Sequence, residues 1–118
     1  MKKSILFVDD EINLLESLKR SLRGLSGEWD MEFVLTGVEA LEKASKTPYD
    51  IVVSDYKMPG MNGIELLEKV KEARPAAIRV LLSGLSDAGV TEKAKPLVDR
   101  YLEKPCDVRE IIDLMKSV

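Results

Sequence analysis

The chain is 118 residues long, which suits one ordinary domain burying about two-thirds of the surface its unfolded form exposes. Its 18 basic and 21 acidic residues leave a net charge of -3, and its few aromatics form no stripe with the basic ones, so direct nucleic-acid binding is not expected. There is no histidine and one cysteine, Cys106, which excludes Ser-His-Asp and Cys-His catalysis, an internal disulfide and the usual zinc sites.

Lys2-Lys3 ahead of an apolar run has the shape of a signal-peptide start, but Asp9-Asp10 cuts the run after a handful of residues. Residues 5–8 therefore predict a buried strand. Ile12, Leu15, Leu18, Leu22 and Leu25 then recur at helical spacing and predict a first helix that stops near Gly24 to Gly27. Residues 32–36 are a weaker second strand, preceded by Trp29 in a loop as a partly buried anchor. Thr36-Gly37-Val38-Glu39 has the form of a capping box and opens a second helix through Leu41 and Ala44 to Thr47-Pro48. Residues 51–53 read as a central strand, and Asn62-Gly63-Ile64-Glu65 caps a third helix through Leu67 and Val70 to Arg74-Pro75.

Residues 78–82 are a fourth apolar strand. A weak helix over residues 87–95 follows, with only Val90 and Ala94 as its buried stripe before Pro96. Residues 100–103 predict a short last strand, and Asp107 caps a final helix that buries Val108, Ile111, Ile112 and Met115. Five strands alternating with helices imply a single α/β domain over residues 1–118, a parallel sheet covered on both faces. No run approaches the length of a membrane span, and the lone thiol suits a reducing compartment, so a soluble cytoplasmic protein is expected.

Charged residues fall where the apolar runs stop: Asp9 and Asp10 after the first, Asp55 after the third, Lys104 after the last. In an open parallel sheet these ends face one crevice, where ligands bind. Three carboxylates sharing a small space call for a cation, and magnesium, which prefers oxygen ligands and accepts one or two carboxylates, suits them. Capping of the first helix would account for Asp9 and Asp10 alone, but explains neither Asp55 nor Lys104.

The chain resembles a response-regulator receiver domain across essentially its full length, through Val8-Asp9-Asp10-Glu11, Asp55-Tyr56-Lys57-Met58-Pro59-Gly60-Met61-Asn62-Gly63, Leu82-Ser83-Gly84 and Tyr101-Leu102-Glu103-Lys104-Pro105. The resemblance implies a flavodoxin-like sheet of order 2-1-3-4-5, the arrangement of chemotaxis receivers. It implies that Asp55 is the phosphoacceptor and that Asp10, Asp55 and the Lys57 carbonyl ligate magnesium directly, with Asp9 acting through water. Lys104 and Ser83 would bind phosphoryl oxygens, and a cis bond at Pro105 would aim Lys104 inward. Ser83 and Tyr101 would form the switch. The implied partners are a histidine kinase or phosphotransfer protein, an output domain or downstream protein reached through the face of the fourth helix, fifth strand and fifth helix, and a second phosphorylated copy.

Gly27-Glu28-Trp29-Asp30 and Lys104-Pro105-Cys106-Asp107 are similar to receivers that precede HD-type phosphohydrolase or HDOD domains. Lys57 sets a second cation beside the site and Leu85 an apolar chain two residues past Ser83, both able to restrict hydrolytic water. The stretch from Glu92 to Arg100 lacks the usual small-residue-and-glycine turn. Two other classes fit the residues less well. A haloacid-dehalogenase-like phosphohydrolase wants a second aspartate two residues after its nucleophile, where Lys57 stands. A pseudo-receiver that binds without being phosphorylated loses part of the acid set, which here is complete. Cys106 beside proline reads as inert filler.

Overall fold

The computed structural model describes residues 2–84, 89–104 and 107–118, with the side chains of Val90 and Thr91 left aside. Strands β1 (Lys3–Val8), β2 (Trp29–Val34), β3 (Ile51–Asp55), β4 (Ile78–Gly84) and β5 (Arg100–Lys104) form one parallel sheet in the order β2-β1-β3-β4-β5. This is the predicted flavodoxin-like topology. Helices α1 (Ile12–Ser21), α2 (Gly37–Lys46), α3 (Gly63–Ala73), α4 (Val90–Ala94) and α5 (Val108–Ser117) connect and follow the strands.

Because successive strand residues point to opposite faces, the central strands divide into two cores. Ile5, Phe7, Ile51, Val53, Val80 and Leu82 pack under α1 and α5 with Leu15, Leu22, Ile111 and Met115. Leu6, Val8, Val52 and Leu81 pack on the other face with Ala40 and Ala44 of α2, Leu66, Leu67 and Val70 of α3, and Ala94 of α4. Apolar runs without polar alternation are what a sheet covered twice requires, and each fully buried large side chain contributes about 1.5–3 kcal/mol.

The caps hold as predicted at two of three places. Asn62 with Glu65 and Asp107 with Glu110 form complete capping boxes. At Thr36 the bond runs one way, from the Glu39 amide to the threonine hydroxyl oxygen at 3.1 Å. The first helix is shorter than its apolar spacing suggests: α1 ends at Ser21, Leu22 is its C-cap, and Arg23–Leu25 is a 3-10 turn. Ile12, in the first turn, is 56% exposed, so the buried stripe starts at Leu15.

The second strand begins and ends earlier than predicted. Trp29 is its first residue, buried opposite Lys3, and not a loop anchor; pairing with β1 overrides the weak polar alternation of residues 32–36. Strand β4 runs two residues past Leu82, which places Ser83 within the strand. Helix α4 is described over five residues, with Ala94 fully buried; Leu85 and the start of the predicted helix lie outside the described residues, as do Pro105 and Cys106.

Beyond α4 the chain is tied to the foot of β4. Arg79, buried, donates from its guanidinium to the carbonyls of Leu97 at 2.7 Å and Ala77 at 3.0 Å, while its backbone amide donates to the Asp99 carboxylate at 2.8 Å. Among the described residues no helix is long and apolar enough to cross a membrane.

Candidate functional site

Strands β1, β3 and β5 end side by side, separated only by β4 between the last two, and each delivers one charged side chain to the same crevice. Asp9, the residue after β1, is buried; its Oδ1 accepts the Glu11 amide at 3.0 Å and its Oδ2 accepts from Lys104 Nζ at 3.1 Å. Asp55, the last residue of β3, is also buried, and its Oδ1 lies 3.1 Å from the same Nζ. One ammonium, from the edge strand β5, thus bridges two carboxylates from the adjacent strands β1 and β3.

The main chain around Asp55 is held closely. Ser54 Oγ donates to the Asp55 carbonyl at 2.9 Å, the Tyr56 amide to the Leu82 carbonyl at 2.9 Å, and the Gly63 amide to the Tyr56 carbonyl at 2.9 Å. A Cβ on Gly63 would overlap the Asp55 carbonyl oxygen and press on Leu81, so only glycine lets α3 start this close to the acid. The capping box at Asn62 fixes where that helix begins.

Electrostatics follow from the crowding. Burial, then the charge of Asp9, lifts the Asp55 carboxyl from its ordinary 3.8 to about 6, against the opposing pull of Lys104. Asp10 adds to the rise. For Lys104, burial works against the charged form, but the contacts with Asp9 and Asp55 outweigh it and its pKa is raised.

The predicted residues are not all equally central. Asp9, Asp55 and Lys104 meet directly. Asp10 is exposed and lines an open hollow of about 420 Å³ with Tyr56, Lys57, Met58, Pro59 and Asn62. Ser83 is half-buried one residue beyond Leu82, the register partner of Asp55. Tyr101 is half-buried against the α2/α3 core, and burial, then Glu92, raises its phenol pKa. Residue order alone gives Glu11 no role, yet its carboxylate approaches those of Asp9 and Asp55, the ligand atoms of all three lying within 4.8 Å of one another. Its signal was its place directly after the acidic pair.

Such a donor set fits a hard divalent cation: oxygen ligands only, excess negative charge, and a carboxyl whose ionisation the fold opposes until positive charge arrives. The family model for the response regulator receiver domain matches residues 5–116. The chain belongs to this family. The receiver is 37% identical to the DNA-binding transcriptional regulator NtrC of Escherichia coli K12, covering 98% of this chain and 25% of that protein. It is 34% identical to the transcriptional regulatory protein YesN of Bacillus subtilis, covering 97% of this chain and 32% of the relative. The receiver therefore spans a third or less of these curated relatives. Among solved structures it superposes on the signal receiver domain of an HD domain-containing protein from Pseudomonas fluorescens with a TM-score of 0.90 at 28% identity, covering 99% of this chain and 94% of that one.

Proposed function

We propose that this receiver accepts a phosphoryl group on Asp55 from a phosphohistidine of a partner kinase or phosphotransfer protein, and signals the change through α4, β5 and α5. The observation that carries the reading is the buried Asp55 carboxylate at the strand end, bridged to Asp9 by Lys104. The 118 residues contain no histidine, so the donor belongs to another domain or molecule.

In the transfer, an Asp55 carboxylate oxygen bonds to phosphorus as the bond from phosphorus to the donor nitrogen breaks; the electron pair stays with the imidazole, which leaves neutral when its other nitrogen carries a proton. Catalysis of this kind is positioning plus neutralisation of the phosphoryl oxygens. Magnesium, when bound, supplies positive charge to the phosphoryl oxygens. Asp10, Asp55 and the Lys57 carbonyl would hold it, with Asp9 acting through water. Lys104 touches the Asp55 carboxylate and would pair with a phosphoryl oxygen once Asp55 is modified. Ser83 would bind another, and Tyr101 would turn inward as Ser83 moves. Lys57, exposed on the rim, sets a second cation where hydrolytic water approaches.

The output is a fused domain or separate protein contacting the α4, β5 and α5 face. An HD-type output is favoured by the likeness to the receiver of an HD domain-containing protein. Phosphorylation-dependent pairing of two copies through the same face is the accompanying reading.

Incubation with acetyl phosphate or phosphoramidate tests the central claim by mass. One phosphoryl adduct is expected with magnesium and none in chelator. Full labelling of Asp55→Asn would remove Asp55 from the role.

A further inference from the structure

On the face opposite α2 and α3, helices α1 and α5 leave between them a cleft of about 410 Å³. That is within the range of small-molecule sites, about 300–1,000 Å³. Its floor is Phe7, Val53 and Leu82 from three strands, and its walls are Leu15 and Leu18 of α1 and Ile111 of α5. The interior is apolar and reaches the sheet.

One end is different. There the cleft is lined by Asp9, Glu11 and Lys104. Asp9 and Lys104 neutralise each other at 3.1 Å. Among the described residues nothing donates to or pairs with the Glu11 carboxylate; its engaged groups are on the backbone, the amide donating to Asp9 and the carbonyl accepting from the Leu15 amide. The end of an apolar cleft thus presents one uncompensated negative charge, with Asp55 adding to the negative field behind it. A ligand anion would be repelled there, and the nearby ammonium is already shared between two carboxylates.

We propose that the cleft between α1 and α5 binds a small organic amine, its aliphatic or aromatic body on Phe7, Leu18 and Ile111 and its ammonium on Glu11. The body gains by leaving water, and the head gains a charge-assisted contact with Glu11 at the cleft's exposed end. Because Asp9 and Lys104 belong both to this cleft and to the phosphoacceptor crevice, a bound amine and a divalent cation draw on the same negative charge. Each weakens the other to the same extent. That last consequence rests on the cation reading given above; binding of the amine itself does not.

Phenylbutylamine is a suitable probe, with phenylbutyrate as the same body carrying the opposite charge. Titrated into the protein in chelating buffer and followed by amide NMR, the amine is expected to give saturable shifts at Leu14, Leu18, Val53 and Ile111 with a Kd of about 1 mM or below. Phenylbutyrate is expected to bind at least about tenfold more weakly, and Glu11→Gln to weaken the amine by about tenfold, the value of one contact to a charged group. Ser17 is an exposed residue on the cleft wall, so Ser17→Phe fills the space without touching the core and is expected to abolish the shifts while the rest of the spectrum stays in place. Equal binding of amine and acid, shifts that map elsewhere, undiminished binding by a folded Ser17→Phe variant, or no saturable change at about 10 mM amine would each overturn the proposal. The readout involves no phosphorylation, so its failure leaves the phosphoacceptor reading to stand or fall by its own mass measurement.

Discussion

Replacing Asp55 with asparagine is expected to make the metal-free domain more stable at neutral pH. Inside the fold this carboxyl titrates near about 6 against an ordinary 3.8. A carboxyl whose pKa rises on folding favours the folded state while protonated, and loses that contribution as pH climbs through the folded value. Over the interval between the two values the loss is about 1.4 kcal/mol per pH unit, so near pH ~7 the ionised group weighs against folding by about 3 kcal/mol. Asparagine has nearly the same shape and no charge, and it leaves Lys104 paired with Asp9. Allowing for the amide N–H groups that asparagine brings beside Lys104, a net gain of about 1–3 kcal/mol is expected, equivalent to several degrees in Tm, up to about 10 °C. Urea unfolding in chelating buffer from pH ~4 to ~8 measures it: parent and variant should converge at the acid end and separate mainly between pH ~4 and ~6, with the variant more stable above. A variant no more stable than the parent near pH ~7, or a gap that does not change with pH, would show that the fold does not oppose ionisation of Asp55.

Lys104→Met should do the reverse, lowering metal-free stability by about 3 kcal/mol because two buried carboxylates lose their shared cation; magnesium should then raise its Tm by more than it raises the parent's, which a thermal shift series will show. Gly63→Ala should cost about 1–3 kcal/mol by forcing the start of α3 away from the Asp55 carbonyl, read as a lower urea midpoint with an unchanged slope. Beryllofluoride with magnesium should change amide exchange mainly at Ser83, Gly84, α4, Tyr101 and the start of α5 while α1 stays as it was; changes confined to Asp9 and Asp55 would mean that the domain binds the phosphoryl mimic without relaying it.

Much of this arrangement could be read from residue order alone, for physical reasons. Strands covered on both faces must be apolar without interruption, so residues 5–8 and 51–53 announced themselves, and the acids that ended them had to lie at one edge of a parallel sheet. The capping signals at Asn62 and Asp107 were equally local. Strand β2 was harder: it lies at the sheet's edge, is half-buried along Met31 to Phe33, and owes its start at Trp29 to pairing with Lys3, a partner distant in sequence. The end of α1 was misplaced because Leu22 and Leu25 continue the apolar spacing through a 3-10 turn, where packing rather than helix geometry keeps them inside. The part of Glu11 was hidden for a similar reason. Its closeness to Asp55 depends on how the chain leaves β1, with the Glu11 amide folded back onto the Asp9 carboxylate.

The clamp made by Arg79 has a mechanical meaning. It holds the carbonyl of Leu97 and the side chain of Asp99 to the end of β4 farthest from Ser83. A segment riveted at one end cannot slide; it can only swing about the rivet, and its travel grows with distance from it. A tug at the tip of β4 is therefore expected to turn α4 about this root rather than to loosen the root itself. Arg79, at the opposite end of β4 from Ser83, would be the fulcrum of that turn.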